Sequence, residues 1–436
     1  MKFKKTYYQV SQQIDNNIYL CTNFNNNTHI LLSEEVYSAY INDKTESNIL
    51  TLQEKYPEVF KILVSNGFLI ESETDETTLL FRNRKKEIED KQMYHIVINP
   101  TLDCNLSCWY CYESRVAGSS MDIDLADAVL KNLKVHLDEQ PYSLLKISFF
   151  GGEPFLRPTI IKHIIKGADI FCQKNKIGLF LDFTTNGTLC PKSIINLLKE
   201  FSCTFQITLD GSKEQHNKIK YTKSKKTDTF ALTLKNIYYI QREIKNCHIS
   251  VRINFDKNTL DNFDSILEAL KDLDRSKTMI ILKRIWQVNS NDIDQSMIFA
   301  SLRKLFENNF VVDYYSQGGI CFADRRNQVL INYDGNVFKC TTLTIFDKEN
   351  ALGYLDKRTG KIYWNEEKIS YLQQDSIANI CKKCRMLPSC GGFCKKKVSS
   401  NEDLTCFLTA SNISIFEFAL IQFYINLTKE KYEKDL

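Results

Sequence analysis

The feature that most constrains the fold of this chain is a run of three cysteines, Cys104, Cys108 and Cys111, spaced CxxxCxxC within eight residues. Three thiolates at this spacing can bind one face of a metal cluster, but the run supplies no fourth ligand. A cubane [4Fe-4S] cluster has four irons, so three thiolates leave one iron free to bind a small molecule through nitrogen and oxygen. Structural zinc sites usually show two separated ligand pairs instead. The run therefore favours an iron-sulfur cluster over a structural zinc site or buried, unreactive thiols.

A strand-like segment at residues 93–99 comes just before this run, and Tyr110 precedes its last cysteine. The pattern CxxxCxΦC, with Tyr110 as Φ, resembles the cluster loop of radical S-adenosylmethionine (SAM) enzymes. That resemblance implies an α/β fold in which a partial (β/α)6 barrel carries the cluster after its first strand. It also implies that the open iron chelates the amino and carboxylate groups of SAM, and that the reduced cluster cleaves SAM to a 5′-deoxyadenosyl radical.

A second motif, Gly151-Gly152-Glu153-Pro154, follows an apolar run at residues 144–150 and precedes a segment of helical periodicity at 160–171. Glycines at such a junction let the backbone approach a ligand closely, and Glu153 can accept a hydrogen bond from an ammonium group. Taken alone, the motif is equally typical of an ordinary turn. After the cysteine run, it resembles the GGEP motif that holds the SAM amino group in the radical SAM family.

Three further apolar strands end in polar residues, at 179–188, 205–211 and 250–255. The first contains Thr-Asn-Gly and resembles the family element that lines the SAM site. In β/α barrels the ligand lies at the C-terminal ends of the strands, so these polar residues are expected to face it; solvation of the strand ends is the alternative. The residues predicted to bind SAM are Tyr110, Gly151, Gly152, Glu153, Pro154, Asn186, Asp210, Arg252 and Asn254.

Length and composition agree with an intracellular metal protein. A chain of 436 residues predicts two or three domains with ample core. Its fifteen cysteines come without a positively charged, apolar leader, and no apolar run is long enough to span a membrane. The net charge of +4 is mild, and the basic runs at 82–86 and 395–397 are typical of solvated faces. We therefore predict a cytoplasmic protein with no nucleic-acid or membrane partner.

A second cysteine group lies near the C-terminus. Two short apolar strands flank Asp334-Gly335, which predicts a hairpin with Cys340 at the end of its second strand. The order and spacing of the seven cysteines in this region resemble the SPASM domain, which binds two auxiliary [4Fe-4S] clusters. With the SAM cluster, the resemblance implies three clusters in all. The seven cysteines are Cys321, Cys340, Cys381, Cys384, Cys390, Cys394 and Cys406.

The SPASM resemblance also implies a ligand assignment. Cys381, Cys384, Cys390 and Cys406 would ligate the distal auxiliary cluster, and Cys321, Cys340 and Cys394 the proximal one. Several relatives add a fourth proximal cysteine about six residues before the position of Cys321, where this chain has none between 311 and 320. The proximal cluster then has an open iron, or a ligand such as Cys247 or a carboxylate. An open iron could bind a substrate cysteine thiolate, a soft ligand suited to iron.

The other five cysteines show no ligand spacing and are expected to be buried, apolar thiols. They are Cys21, Cys172, Cys190, Cys203 and Cys247.

About ninety residues precede the first barrel strand, more than a barrel start requires. They predict a winged-helix-like α+β module, in which Ser33 caps the first helix and residues 71–91 form a linker or bridging helix. The order resembles the recognition element of ribosomally synthesised, post-translationally modified peptides, which binds a leader peptide as an added strand. A plain winged-helix packing domain is the alternative. The predicted elements are strands at 7–10, 17–22, 29–32 and 68–70, and helices from 33 and at 52–65.

These resemblances predict a peptide-binding domain at 1–90, a radical SAM barrel at 91–310 and a SPASM domain at 311–436. The implied function is a radical-derived crosslink, favoured to be a thioether, with carbon-carbon or carbon-oxygen bonds as alternatives, in a precursor peptide carrying a leader. An electron donor such as flavodoxin or ferredoxin would be needed, and no catalytic residue beyond the SAM cluster is assigned. The alternatives are a sulfatase-maturing enzyme, disfavoured by Thr341 where that family carries aspartate, a cofactor-pathway SPASM enzyme, and a non-catalytic leader-binding protein.

Overall fold

The computed structural model groups the chain into two compact units. The first combines Met1–Ile88, Ser316–Cys321 and Gln374–Leu427, and the second combines Glu89–Tyr315, Phe322–Gln373 and Thr428–Leu436. Segments from both ends of the chain therefore share the first unit, and the three-domain division given above stays a prediction. The structure describes residues 2–41, 47–224, 226–285, 287, 293–314, 320–373, 377–395 and 404–434.

The N-terminal part of the first unit is an α+β module. Its elements are β1 (Phe3–Lys5), β2 (Gln9–Asp15), β3 (Ile18–Asn23), β4 (Thr28–Ser33), α1 (Glu34–Ile41), α2 (Ser47–Lys55), α3 (Pro57–Ser65), β5 (Leu69–Glu71) and α4 (Glu76–Ile88). Strands β2, β3 and β4 form an antiparallel sheet, and β1 pairs with β5. Leu52, Leu63 and Phe68 fill its core. The predicted strands and the first helix of this region are therefore found, and the predicted linker contains the helix α4. The single helix predicted at 52–65 is instead two helices, because α2 ends at Lys55 and Pro57 begins α3.

Two local details of this module follow from hydrogen bonding. Ser33 Oγ accepts from the backbone N–H of Val36 at 3.5 Å, so Ser33 caps α1 as predicted. The predicted strand at 7–10 begins only at Gln9, because the backbone N–H of Tyr7 donates to Glu76 Oε2 at 2.8 Å instead of a neighbouring strand.

The second unit is built on a parallel sheet. Strands β6 to β11 lie side by side in chain order, all parallel, with helices in the connections, and β12 extends the sheet beyond β11. This architecture confirms the predicted α/β class with a partial barrel. Its elements are β6 (Met93–Ile98), α5 (Ile123–Glu139), β7 (Leu144–Phe149), α6 (Pro158–Asn175), β8 (Gly178–Thr185), α7 (Lys192–Leu198), β9 (Cys203–Thr208), α8 (Lys213–Ile219), α9 (Thr229–Glu243), β10 (Cys247–Phe255), α10 (Lys257–Asp261), α11 (Phe263–Leu270), β11 (Thr278–Arg284), α12 (Gln295–Glu307) and β12 (Val311–Tyr314).

The two faces of this sheet differ in character. Successive side chains of a strand point to opposite faces, so apolar residues on one face alternate with polar residues on the other. Phe149, Phe183 and Phe205 are fully buried and stack in a row across β7, β8 and β9, with ring centroids 5.3 and 5.1 Å apart. Asp182 and Thr184, their neighbours along β8, line a cavity instead. The barrel interior is therefore polar and open, and its apolar core lies on the outer face.

The sheet continues into a meander beyond β6. The added elements are β13 (Gln328–Ile331), β14 (Asn336–Phe338), β15 (Gly353–Leu355), β16 (Ile362–Trp364) and α13 (Glu366–Gln373). Strand β13 is parallel to β6, and the following strands are antiparallel. Gly335 has φ of +87°, which only glycine adopts without strain, and it closes the predicted hairpin between β13 and β14. Cys340 follows the second strand of this hairpin.

The C-terminal part of the first unit is helical and bonds to the N-terminal module. Its elements are α14 (Asn379–Lys382), α15 (Leu387–Cys390), α16 (Phe407–Ser411) and α17 (Ile415–Lys434), which extends beyond this unit after Leu427. The hydroxyl of Tyr7 donates to Lys383 O at 2.7 Å, and Ser389 Oγ donates to Phe24 O at 2.8 Å. The rings of Phe24 and Phe418 lie 6.1 Å apart. Among the described helices, none combines the length and apolar character needed to cross a membrane.

Candidate active site

The three cysteines of the first run lie on the loop between β6 and α5, at the C-terminal end of β6. The side chains of Cys104, Cys108 and Cys111 all line one cavity of about 710 Å³. The backbone N–H of Cys111 donates to Cys108 O at 3.3 Å, which turns the loop back on itself. Burial raises the pKa of the Cys104 thiol to about 11, so metal binding at this position must release a proton.

The Gly-Gly-Glu-Pro motif packs directly against the start of this loop. The backbone N–H of Gly152 donates to Thr101 O at 3.1 Å, and that of Glu153 donates to Asp103 O at 2.9 Å. A Cβ atom on Gly152 would collide with the backbone of Asp103, and one on Gly151, whose φ is +99°, would collide with Thr101 O. Both glycines are therefore required by close backbone approach to the cluster loop, and Pro154 begins the short helical turn that follows.

The side chain of Glu153 does not face the cavity. It is fully buried, and its carboxylate accepts from the backbone N–H of Phe155 at 3.0 Å and of Asn186 at 2.8 Å. Thr185 Oγ1 lies 2.8 and 2.9 Å from its two oxygens. Burial raises the pKa of this carboxyl to about 7. Protein donors therefore hold this carboxylate, which joins the turn to the end of β8, and its contact with a SAM ammonium group stays a prediction.

Asn186, at that end of β8, does reach the cluster loop. Its Nδ2 donates to Asn105 Oδ1 at 2.9 Å and lies 3.7 Å from Cys104 Sγ. Its Oδ1 accepts from the backbone N–H of Thr188 at 2.9 Å, which fixes the orientation of the amide. Asn186 also lines the cavity, so it lies where the sequence placed it.

Tyr110, Asp210 and Asn254 form one hydrogen-bonded group. Tyr110 donates its hydroxyl to Asp210 Oδ2, and Asn254 donates its backbone N–H to Asp210 Oδ1 at 3.0 Å. Arg252 Nε donates to Asn254 Oδ1 at 2.9 Å. Tyr110, Arg252 and Asn254 line the cavity as expected. Asp210 is fully buried and supports Tyr110 and Asn254, and its direct contact with SAM stays a prediction.

Lys220 is a cavity residue that sequence reasoning missed. Its side chain is only 4% exposed, and its Nζ lies 3.9 Å from Asp210 Oδ2. Its charge also lowers the pKa of the Cys108 thiol, against the larger, opposite effect of burial. Lys220 follows α8 among other lysines and a histidine, a pattern typical of a solvated helix, so the sequence carried no signal that would have selected it.

The same cavity connects the cluster loop with the segment that follows strand β14. Its wall includes Thr341 and Thr342, which directly follow Cys340. Tyr112 donates its hydroxyl to Thr341 O at 3.4 Å, and Ser114 donates its backbone N–H to Thr344 O at 2.7 Å. The first cysteine run and the residues after Cys340 therefore border the same cavity.

Four cysteines of the C-terminal group lie near one another in the first unit. Cys381 lies in α14, Cys384 follows it, Cys390 ends α15 and Cys406 precedes α16. Burial raises the pKa of Cys390, and the charges of Cys406, Cys381 and Cys384 raise it further, which reflects their proximity. All four contribute thiol groups, and none of them forms a disulfide bond. Their donor chemistry suits the distal cluster assigned to them above.

The proximal assignment stays a prediction. Cys321 and Cys394 belong to the first unit and are exposed, whereas Cys340 belongs to the second. Residues 315–319, where relatives carry a further cysteine, and residues 396–397 of the predicted basic run lie outside the described residues. Cys247 as an extra ligand is wrong, because it is buried at the start of β10, at the opposite strand end from the cluster loop, and its thiol lies 3.2 Å from Ile244 O.

The five cysteines without ligand spacing are largely as expected. Cys21, Cys172, Cys203 and Cys247 are buried, and Cys190 is half-buried. Within the described part of the chain, no group of three or more histidine, cysteine, aspartate or glutamate side chains is placed to hold a metal ion. The fit to clusters therefore rests on the thiol donor sets and their proximity.

Comparison with protein families identifies two domains. The Radical SAM superfamily model matches residues 98–273, and the SPASM model, an iron-sulfur cluster-binding domain, matches residues 321–385. The chain thus carries the domains of a radical SAM/SPASM enzyme, which supports SAM and [4Fe-4S] clusters as its cofactors.

Curated proteins match parts of this chain. A cysteine-type anaerobic sulfatase-maturating enzyme of Clostridium novyi is 23% identical over 387 residues, which cover 78% of this chain and 97% of that enzyme. An uncharacterized protein of Methanocaldococcus jannaschii is 31% identical over 151 residues, and the chain spans only 49% of its length.

Solved structures share the fold. The structure of anSMEcpe with bound AdoMet has a TM-score of 0.59 at 20% identity and covers 78% of this chain and 99% of that one. Streptococcus suis SuiB bound to precursor peptide SuiA has a TM-score of 0.50 at 15% identity and covers 92% of this chain and 97% of that one.

Proposed function

We propose that this chain is a radical SAM enzyme that modifies a ribosomally synthesised peptide. The observation that carries the proposal is the single cavity of about 710 Å³, bordered by Cys104, Cys108 and Cys111 and by Thr341 and Thr342 after Cys340. A cavity of this size is in the range of small-molecule sites and leaves room beside a cofactor for a substrate side chain. Its position lets a radical formed beside the first cysteine run meet a substrate held near the second.

The residues around the first run would bind SAM. Cys104, Cys108 and Cys111 would hold a [4Fe-4S] cluster with one open iron, which supplies the electron that cleaves SAM to a 5′-deoxyadenosyl radical. Lys220 is a buried cation at the cavity wall, suited to the SAM carboxylate. The backbone carbonyl oxygens of Gly151 and Gly152, two residues that line the cavity, would accept hydrogen bonds from the SAM ammonium group.

Other residues would position this group. Tyr110, Asn254 and Arg252 would line the bound cofactor, and Asp210 would hold Tyr110 and Asn254 in place from behind. Asn186 would fix the loop at Asn105, next to Cys104. Their shared contribution is orientation and the exclusion of water around a reactive intermediate.

The C-terminal cysteines would hold two auxiliary clusters. Cys381, Cys384, Cys390 and Cys406 would ligate the distal one, and Cys321, Cys340 and Cys394 the proximal one, whose open iron would take a substrate thiolate. These clusters would supply an acceptor for the electron released on bond formation. Because the proximal site would hold a substrate thiolate, we favour a thioether crosslink as the product.

The N-terminal module would capture the leader of the precursor peptide. Its three-stranded sheet offers edge strands, and tethering by the leader would raise the effective concentration of the core peptide at the barrel. The fold likeness to SuiB, which was solved with its precursor peptide, covers 92% of this chain and supports this role.

A second candidate is maturation of a sulfatase-type peptide, in which a cysteine is oxidised. The extended match to the Clostridium novyi enzyme, over 97% of that enzyme, favours it. Both candidates share the cofactors and the cavity, and they differ in the peptide and in the product.

One experiment tests both. Anaerobic reconstitution should give about twelve irons per chain if three cubanes are present. The reduced enzyme is then incubated with SAM and either a precursor peptide encoded beside the gene or a cysteine-containing sulfatase peptide. Loss of two hydrogens with a new crosslink supports the first candidate, and conversion of the cysteine to an aldehyde supports the second.

The control replaces Cys104, Cys108 and Cys111 with alanine together. This variant should form no 5′-deoxyadenosine. Retained SAM cleavage would overturn the assignment of the first cluster, and an iron content near four per chain in the unmodified enzyme would overturn both auxiliary clusters.

A further inference from the structure

The inner wall of the barrel carries a chain of hydrogen bonds across four strands. His95 Nε2 on β6 lies 2.9 Å from Ser148 Oγ on β7, and Ser148 Oγ donates to Asp182 Oδ2 on β8 at 2.9 Å. Thr204 Oγ1 on β9 donates to the other oxygen of Asp182. Because the Ser148 hydroxyl has one proton and gives it to Asp182, His95 Nε2 must be the donor to Ser148. Both oxygens of Asp182 therefore already accept hydroxyl groups.

Lys146 lies beside this chain, on the strand next to that of Asp182. It is half-buried on β7, opposite His95 in the strand register, and it lines the same cavity. Its Nζ lies 5.8 Å from the ring centroid of Phe180, and among the described residues no carboxylate forms an ion pair with it. Its ammonium group is therefore available to an anion bound in the cavity.

The surroundings of Lys146 are positive. Arg325 also lines the cavity here, and burial together with the charges of Lys146, Arg325 and Lys339 lowers the pKa of His95 to about 3, so His95 stays neutral. Among the described residues on the cavity wall, six are basic and two are acidic. Lys220 and Arg115 lie near the cysteine thiols of the first run, whereas Lys146 lies on β7 next to the strand that carries Asp182.

We propose that Lys146, on this predominantly basic cavity wall, forms a subsite for a carboxylate of the peptide substrate. This inference rests on the proposed function and names its substrate class, a peptide with an acidic group close to the residue that reacts. The carboxylate is supplied either by an aspartate or glutamate side chain or by the C-terminus of the peptide. Lys146 would fix the peptide by a charge-assisted hydrogen bond.

Binding of small probes to the reconstituted, SAM-saturated and unreduced enzyme tests the proposal, because SAM then occupies its own carboxylate site and no turnover occurs. Three isosteric probes are compared: N-acetyl-glutamic acid α-amide, with a side-chain carboxylate; N-acetyl-glutamine, with a free α-carboxylate; and N-acetyl-glutamine amide, which is neutral. We expect at least one anionic probe to bind about tenfold more tightly than the neutral one. The tighter anionic probe identifies the source of the carboxylate.

Variants connect that preference to the lysine. Lys146→Met should abolish the preference for the anionic probe, and Lys146→Arg, which keeps the charge, should retain it. Lys235→Met removes an exposed lysine of α9 and should change nothing. Asp182→Asn should leave the anionic preference intact.

The proposal is overturned if the three probes bind equally to the unmodified enzyme, or if Lys146→Met keeps the preference. It is also overturned if N-acetyl-lysine amide binds best and loses its affinity in Asp182→Asn, which would make Asp182 the recognition group for a cation. Since none of these measurements requires SAM cleavage, their failure is distinct from failure of the proposed function.

Discussion

Glu153 joins two turns of the protein through its buried carboxylate. Its carboxylate accepts two backbone N–H groups, from Phe155 and Asn186, in a site that no solvent reaches. The two turns that it joins are those that face the cluster loop. A substitution that removes the Glu153 carboxylate would therefore alter both turns.

The variant Glu153→Gln is expected to be destabilised by about 1–3 kcal/mol, because its amide group presents a donor where two acceptors are needed. Urea unfolding of the purified protein measures the change in the free energy of unfolding. Glu200→Gln, at an exposed glutamate, is the matched control and should stay within about 0.5 kcal/mol of the unmodified protein. Equal stability of the two variants would contradict the role given to Glu153.

His95 makes the fold sensitive to acid. Burial, with the nearby cations, lowers its pKa to about 3 in the folded protein, below the value of about 6.5 in an unfolded chain. Between about pH 3 and pH 6.5 the folded state binds fewer protons than the unfolded state, so a falling pH favours unfolding. The contribution of His95 to the free energy of unfolding is therefore complete above about pH 6.5 and is lost as the pH falls. We expect this group to lower the free energy of unfolding by up to about 1.4 kcal/mol per pH unit between pH 6 and 4.

Unfolding of the cluster-free protein at a series of pH values measures this slope. His95→Gln should remove the contribution, whereas His248→Gln, at an exposed histidine of β10, should leave it unchanged. A slope that is the same in all three proteins would show that His95 does not resist protonation.

At the scale of elements, the junction after β7 and the loop after β6 form one packed structure. Gly152 is needed there for space alone, since a Cβ atom would meet the backbone of Asp103 directly before Cys104. Gly152→Ala is therefore expected to displace the cluster loop, with a loss of about 1–3 kcal/mol in stability and a fall in iron bound after reconstitution.

Gly178→Ala is the matched control for this change. Its nearest neighbour is the flexible end of Leu144, at 3.2 Å from the added Cβ, so the side chain can give way. Iron analysis and unfolding of both variants measure the effect. An iron content in Gly152→Ala equal to that of Gly178→Ala would show that the close approach is not required for the cluster.

The sequence predicted the elements well because their signals are local. Apolar strands that end in Gly-Gly-Glu-Pro or Thr-Asn-Gly mark the strand-turn-helix junctions of the barrel, and the Asp-Gly turn marks the hairpin before Cys340. The direction of individual side chains depends on tertiary contacts instead. The sequence alone therefore does not show that the carboxylates of Glu153 and Asp210 are buried and bonded to protein donors, or that Lys220 and Lys146, whose local patterns are ordinary, line the cavity.

At the scale of the whole molecule, the two ends of the chain share one unit. Phe24, 1% exposed in the N-terminal module, contacts Phe418, and its carbonyl accepts from Ser389. The C-terminal segment with Cys381 and Cys390 is thus supported by residues more than three hundred positions earlier in the sequence. A cavity at Phe24 should therefore destabilise the C-terminal segment.

Phe24→Ala is expected to cost about 3–5 kcal/mol within this unit. Hydrogen exchange measured by mass spectrometry should show faster exchange in residues 377–395 and 404–427. Phe263→Ala, at an equally buried phenylalanine of the second unit, should instead affect the barrel. Unchanged exchange of the C-terminal segment in Phe24→Ala would show that the two segments do not stabilise each other.

This shared unit also sets an order of events during synthesis. The 285 residues between Ile88 and Gln374 must be translated before the N-terminal module meets its C-terminal partner. At the ribosomal rate of roughly 5–20 residues per second, this interval lasts about 15–60 s. Cys104, Cys108 and Cys111 are translated within it, whereas Cys381, Cys384, Cys390 and Cys406 are translated only after it. The cluster proposed for the first run could therefore be delivered before the C-terminal cysteines have been made.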